Sequence, residues 1–127
     1  MAPPELWLSG AEATMRRALR YGLPWEPTRM SPSEVEPLAH TYLDAGGKSL
    51  KVRTRMSVVP PPANPDAVAF TTFTTLVGPP EYLAEQLDAY ARLGATYISV
   101  VPGYDEASCG ATIDALGVAA RSLAESR

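Results

Sequence analysis

The first residues with chemical potential form a short turn near the start of the chain. Ser9 and Gly10 follow the apolar run Leu6–Leu8, which is typical of a buried parallel strand. A helix over Ala11–Arg20 is predicted directly after them. Glycine lets a ligand approach the backbone closely, and the free N–H groups and positive dipole end of a helix suit an anion. The turn is therefore a candidate phosphate-binding site.

Two further candidates lie at the end of the next predicted strand, Leu23–Trp25. Trp25 can either line a ligand pocket or pack into the core. Glu26 can either exchange a proton with a substrate or lie solvated at the strand end. Both alternatives stay open at each position because the sequence identifies no partner for either side chain. No catalytic residue is assigned.

Single copies of two reactive residue types limit the chemistry available to one chain. His40 is the only histidine, so one copy cannot assemble a site from several histidines. Cys109 is the only cysteine, which excludes an intramolecular disulfide and makes the cytoplasm the expected compartment. We expect structural roles for both, with His40 on a partly exposed helix and Cys109 in the core, and we expect no metal site.

Composition predicts one soluble domain over residues 1–127. The 127 residues are 46% hydrophobic, which is enough for a moderate core. The formal net charge of −3 gives no general attraction to nucleic acid or to anionic membranes, and we expect neither as a partner. The local cluster of Arg16, Arg17 and Arg20 has the spacing of a solvated helix face. No apolar stretch reaches membrane-spanning length.

The elements that must position the candidate residues alternate between strand and helix. Besides the two strands above, the pattern predicts strands over Leu50–Val59 and Ala95–Val101. The second helix begins at a capping box, either Ser31 with Glu34 or Ser33 with Glu36, and the third begins at residues 78–81. Glycines end the first three helices, at Gly22, Gly46–Gly47 and Gly94. The last helix has a predicted apolar face of Cys109, Ile113, Leu116, Ala120 and Leu123.

The segment between the third strand and the third helix is harder to interpret. Successive prolines at 60–62 predict a loop, because proline cannot donate ladder hydrogen bonds. Ala67–Val77 fits a strand, a hairpin arm or irregular structure, and all three alternatives stay open.

Four successive β/α units predict an α/β fold with a parallel sheet and right-handed crossovers. Four units amount to half of an eight-stranded barrel. They also suffice for a small open sheet with helices on both faces, which periodicity alone does not distinguish.

Several ordered segments add a family resemblance. They are Pro3–Gly10, Ala13–Arg20, Tyr21–Thr28, Ser31–Glu34, Val77–Glu81 and Leu87–Ile98. In their order and spacing the chain resembles the bacterial luciferase-like flavin or deazaflavin oxidoreductases, apart from about residues 60–75. The family's fold is a single-domain (β/α)8 TIM barrel, and the matching segments correspond to its fifth to eighth units. The resemblance therefore covers the C-terminal half only.

The resemblance implies a cofactor site. In the family, a Gly-Gly-Ser-like turn after the fifth strand helps to bind the phosphate of FMN or of a deazaflavin. The matching residues here are Ser9, Gly10 and Ala11, so the backbone can bind but Ala11 offers no hydroxyl. Barrel chemistry lies at the carboxyl ends of strands, which nominates Trp25 and Glu26 for the substrate pocket, together with the loop after Val59 and residues 102–104.

The absent N-terminal half would supply much of the ring pocket, so three interpretations remain open. The chain is an oxidoreductase component that pairs with another copy or with a complementary N-terminal half. Alternatively, it is a noncatalytic ligand-binding or scaffold module, or a fragment of a longer enzyme. We favour a homodimer acting on a small-molecule substrate, because a half-barrel leaves the edges of its first and last strands unpaired.

Overall fold

The structure is a computed structural model that describes residues 3–61, 63 and 74–125. Within these residues the elements, in chain order, are β1 (Leu8–Gly10), α1 (Glu12–Tyr21), β2 (Trp25–Pro27), α2 (Pro32–Asp44), β3 (Leu50–Ser57), β4 (Thr74–Val77), α3 (Pro80–Arg92), β5 (Ala95–Pro102) and α4 (Glu106–Glu125). None of the helices in these ranges is both long and apolar enough to cross a membrane.

The strands form one sheet in which every described pairing is parallel. β1 pairs with β2, and β2 meets β3 at Leu50. β5 runs along one edge of β3, and β4 pairs with residues 54–57 of β3. The α/β class and the parallel sheet are confirmed. Of the three alternatives left open for Ala67–Val77, the structure has a strand at residues 74–77, which adds β4 to the four strands of the β/α units. Residues 67–73 of that segment lie outside the described part.

Strand order determines where the helices lie. β1, β2, β3 and β5 follow one another across the sheet in chain order. With right-handed crossovers, such an order keeps successive helices on one face. Consistent with this rule, α1 contacts α2, α2 contacts α3, and α3 contacts α4. The arrangement favours a single helical layer over an open sheet with helices on both faces.

The main core lies between the sheet and this helical layer. Trp25 and Tyr42 are fully buried there, with ring centroids 5.6 Å apart. The Tyr42 hydroxyl donates to the Leu23 carbonyl at 2.8 Å and accepts from the Ser49 amide at 3.2 Å. One side chain of α2 thus binds the backbone just before β2 and just before β3, which fixes the path of the chain into both strands.

The buried face of α4 differs from the predicted one. Ser108, Thr112 and Ala119 are buried, whereas Ile113 is 52% exposed and Ala120 is exposed. The reason is that backbone groups beneath α4 need partners: the Thr112 Oγ1 accepts from the Val58 amide at 3.1 Å. Polar residues therefore occupy positions that the apolar pattern alone assigns to solvent.

The helix ends follow the predicted signals. Of the two possible capping boxes, the structure has the first, in which the Ser31 amide donates to Glu34 Oε1 at 3.1 Å. The predicted glycine terminator Gly22 has a φ of 65° and follows the last residue of α1. Cys109, predicted to be in the core, is partly buried and free.

Asp105 caps the N-terminus of α4. Its Oδ1 accepts from the Ser108 amide at 2.8 Å, and the Ser108 Oγ accepts in return from the Asp105 amide at 3.0 Å. These hydrogen bonds, above all the one from the Ser108 backbone, hold the pKa of the Asp105 carboxyl below its usual range. The cap therefore favours the ionised carboxylate.

The stabilisation by this cap should disappear in acid. Because the pKa of Asp105 is lower in the folded chain, its contribution is complete above the ordinary value of 3.8 and is lost as the pH falls through the folded pKa. We expect the melting temperature of Asp105→Ala to lie below that of wild type at pH 6, with the gap closing toward pH 2. Asp114→Ala, which removes an exposed carboxyl from the same helix, serves as the control. A gap for Asp105→Ala that is constant with pH would contradict the assignment.

Candidate functional site

One face of the sheet points away from the helical layer and carries polar side chains. On β3, Leu50, Val52, Thr54 and Met56 are buried, so the alternate residues point to the opposite face. Parallel register adds side chains from the neighbouring strands. We call this surface the polar face; its members are Ser9, Glu26, Lys51, Arg53, Arg55, Tyr97 and Ser99.

Glu26 lies buried in the middle of the polar face. The Ser9 Oγ donates to its Oε1 at 2.8 Å, and the Arg53 Nε lies 3.7 Å from its Oε2. The residue is only 4% exposed, so it is not the solvated strand-end carboxylate that the sequence allowed. Its Oε2 accepts no hydrogen bond from the described residues. A buried carboxylate oxygen without a donor can accept one from a ligand.

Trp25, the other predicted pocket residue, lies on the opposite face of the sheet. Its side chain is fully buried against α2, and the indole N–H donates to the Gly10 carbonyl at 2.9 Å. The structure therefore separates Trp25 from Glu26, although the two are adjacent in sequence. From the helical side of the sheet, Trp25 fixes the backbone of the predicted cofactor-binding segment through its hydrogen bond to Gly10.

Ser9 and Gly10 are the last two residues of β1, and Ala11 alone joins them to α1, so the predicted strand Leu6–Leu8 began and ended two residues too early. Leu6 is 62% exposed rather than buried. Ala11 is the N-cap of α1, and within the described residues no side chain caps this end. A Cβ on Gly10 would lie 2.1 Å from the Thr14 Oγ1, so glycine allows the turn to approach the helix. The Ser9 hydroxyl is already committed to Glu26. An anion at this turn would therefore be bound by backbone amides rather than by side chains.

Aromatic rings enclose the amino end of the polar face. Lys51 Nζ lies 5.1 Å from the Trp7 ring centroid and 5.9 Å from that of Tyr97. The two rings are themselves 4.9 Å apart in an edge-to-face arrangement. Glu5 Oε1 lies 3.5 Å from the same ammonium group and balances its charge. The arrangement brings the segment before β1 into contact with β5.

Arg55 lies toward the carboxyl end of the same face. Its Nη1 donates to the Gly103 carbonyl, and its guanidinium carbon lies 5.2 Å from the Tyr104 ring centroid. Burial raises the pKa of the Tyr104 hydroxyl, and the Arg55 charge partly offsets that rise. Residues 102–104 are predictable site residues because of their strand-end position, whereas Arg55 is not among the residues predicted from the sequence. The alternation of basic with buried residues along β3 is the sequence pattern that could have indicated Arg55.

A second concavity lies in the helical layer. This open groove between α2 and α3 has a volume of about 600 Å³, and its lining includes Ser31, Glu36, His40, Gln86 and Arg92. His40 is exposed and belongs to this lining. Among the residues that the structure describes, no group of three or more His, Cys, Asp or Glu side chains is arranged to bind a metal ion.

Comparison with known proteins adds no family assignment. No protein-family model matches the chain, and no curated protein matches it at a significant level of sequence similarity. The luciferase-like resemblance therefore rests on the ordered sequence segments alone. Function has to be argued from the polar face and from the β1–α1 turn.

Proposed function

We propose that the chain forms half of a (β/α)8 barrel and contributes to a flavin- or deazaflavin-dependent oxidoreductase. In this proposal the turn of Ser9, Gly10 and Ala11 binds the cofactor phosphate, and Glu26 faces a small-molecule substrate. The observation that carries it is the uncapped N-terminus of α1 at the carboxyl end of a parallel strand. Barrel enzymes bind their ligands at this end of the sheet.

The shape of the sheet supports the half-barrel. In a flat sheet, β1 and β5 would be three strand spacings apart, or about 14 Å. The rings of Trp7 and Tyr97 nevertheless meet with a centroid distance of 4.9 Å. This contact favours a sheet that curves toward the polar face. In a closed barrel, that face would line the interior.

The residues present fit the phosphate of the proposed cofactor through their backbone. The first-turn amides of α1 have no side-chain cap, and the lack of a Cβ at Gly10 keeps the turn open to close approach. A bound flavin or deazaflavin would supply hydride transfer. From this chain, the free carboxylate oxygen of Glu26 can accept a hydrogen bond or a proton from the substrate.

The same proposal includes self-association in the cytoplasm. Closing the barrel would set the edge of β1 beside β5 of a second copy, and α1 beside its α4. Exposed Ile113 and Val118 on α4 offer apolar area for such a contact. Charges of opposite sign are also exposed: α1 exposes Arg17 and Arg20 besides the Arg16–Glu12 ion pair, and α4 exposes Glu106, Asp114 and Glu125 besides Arg121. A complementary N-terminal half, in place of a second copy, would pair with the same edges of β1 and β5.

Cofactor binding tests the proposal most directly. Titrating the assembled protein with FMN and with a phosphate-bearing deazaflavin should quench or shift the cofactor's fluorescence to saturation. Riboflavin is the matched ligand control because it lacks the phosphate, and we expect it to bind at least about tenfold more weakly.

The variant Gly10→Val links that binding to the turn. Its side chain would overlap Thr14 and block the backbone approach, so we expect the preference for FMN over riboflavin to disappear. Circular dichroism should show that the variant keeps its helices. If neither cofactor binds any assembled form, or if both bind Gly10→Val as well as wild type, the site assignment is wrong. Saturable binding without any reductase activity would instead favour a noncatalytic ligand-binding module.

A further inference from the structure

Arg55 differs from the other basic residues of the polar face in having no carboxylate partner among the residues that the structure describes. Lys51 lies 3.5 Å from Glu5, and Arg53 lies 3.7 Å from Glu26. Across residues 3–61, 63 and 74–125, no Asp or Glu oxygen forms an ion pair with Arg55. Within the described residues, the polar face therefore has one guanidinium whose charge no carboxylate balances.

The guanidinium is nevertheless held in one position. The hydrogen bond from Nη1 fixes it to the Gly103 carbonyl, and its central carbon lies 5.2 Å from the Tyr104 ring centroid. Gly103 is itself anchored, since its amide donates to the Met56 carbonyl at 2.8 Å. Arg55 is therefore preorganised, and a ligand that binds it does not have to order a mobile side chain.

One edge of the guanidinium lacks a partner. The Nε of Arg55 is buried and makes no hydrogen bond with any described residue. Buried N–H groups of a charged side chain are normally satisfied, because leaving them unpaired is costly. The Nε edge of an arginine is also the edge that binds two oxygens of a carboxylate or phosphate in a fork.

We infer that Arg55 binds the oxyanion of a small-molecule ligand, through a carboxylate or a phosphate group. The position suits a ligand, since Arg55 lies near the carboxyl end of β3, beside Gly103 and Tyr104. It is separate from the turn at Ser9 and Gly10, which belongs to β1. The inference does not depend on flavin binding and would hold for a noncatalytic ligand-binding protein as well.

The Nε–H resonance of Arg55 in a ¹H–¹⁵N spectrum provides a direct test. The signal is assigned by its loss in Arg55→Lys and is followed during titration with sodium phosphate, sodium acetate and sodium chloride at equal ionic strength. We expect a saturable shift with phosphate or acetate and none with chloride. The anion with the lower dissociation constant identifies the group as phosphate or carboxylate.

Two variants separate a specific site from general charge effects. Arg55→Lys keeps the charge but loses the fork, and we expect affinity measured by calorimetry to fall about tenfold or more. Lys48→Met removes an exposed charge from the loop between α2 and β3 and should bind the anion as wild type does. Absence of a saturable shift with phosphate and acetate, or equal affinity in wild type and Arg55→Lys, would overturn the inference and leave Arg55 as a structural tie to Gly103.

Discussion

Replacing Trp25 with alanine should lower the free energy of unfolding by about 3–5 kcal/mol, the usual cost of removing a large buried aromatic side chain. Trp25 is fully buried, and its ring packs against Tyr42 at a centroid distance of 5.6 Å. The substitution also removes the donor that satisfies the Gly10 carbonyl. Since domains are stable by only about 5–15 kcal/mol, urea denaturation should show a much lower midpoint.

Two comparisons identify the origin of that loss. Trp25→Phe keeps most of the ring but not the indole N–H, and we expect a smaller loss of about 1–3 kcal/mol together with a disturbed Ser9–Gly10 turn. Trp7→Ala removes a partly buried ring outside the main core and should cost less than Trp25→Ala. Near-equal stability of Trp25→Ala and wild type would contradict the described core.

Gly103→Ala should be the most damaging single-methyl change in the chain, with an expected loss of about 2–4 kcal/mol. Gly103 has a φ of 67°, which L-residues rarely adopt. An added Cβ would also lie 2.4 Å from the backbone nitrogen of Cys109, and a backbone atom of a helix cannot easily move aside. The change would displace the carbonyl that positions Arg55.

Gly22→Ala is the matched control for this prediction. Gly22 has a nearly identical φ of 65°, but no described atom lies within 4 Å of its added Cβ. It therefore isolates the backbone strain, for which we expect about 1 kcal/mol. Thermal melting of both variants measures the difference. If the two lose the same stability, the predicted overlap between Gly103 and Cys109 does not exist.

Local signals made much of the fold predictable from the sequence. Gly22 ends α1 and Ser31 starts α2 because each forms its turn or cap with residues at most four positions away. The alternation that predicted β3 and the apolar run that predicted β5 are likewise local patterns, although no residue of β5 is fully buried. Such features depend on neighbours along the chain, so the sequence carries them directly.

The candidate site depends on contacts between distant residues, which explains why less of it was predictable. Glu26 is buried beside Ser9 and Arg53, which lie on the two neighbouring strands. No local sequence pattern shows that these three residues meet. The buried face of α4 was misassigned for the same reason, since Thr112 is needed by the amide of Val58, 54 positions earlier. The addition of β4 is also a pairing between segments far apart in sequence.

We propose that this chain is half of a barrel completed by a second copy. Sedimentation velocity over a dilution series from high to low micromolar concentration measures whether two copies assemble. We expect a species of twice the mass of one chain that dissociates only on strong dilution. Charge reversal at Arg16, Arg17 and Arg20 should weaken that species, because these residues would face the acidic residues of α4. A stable, well-folded monomer throughout the series would contradict the claim and favour a small open sheet.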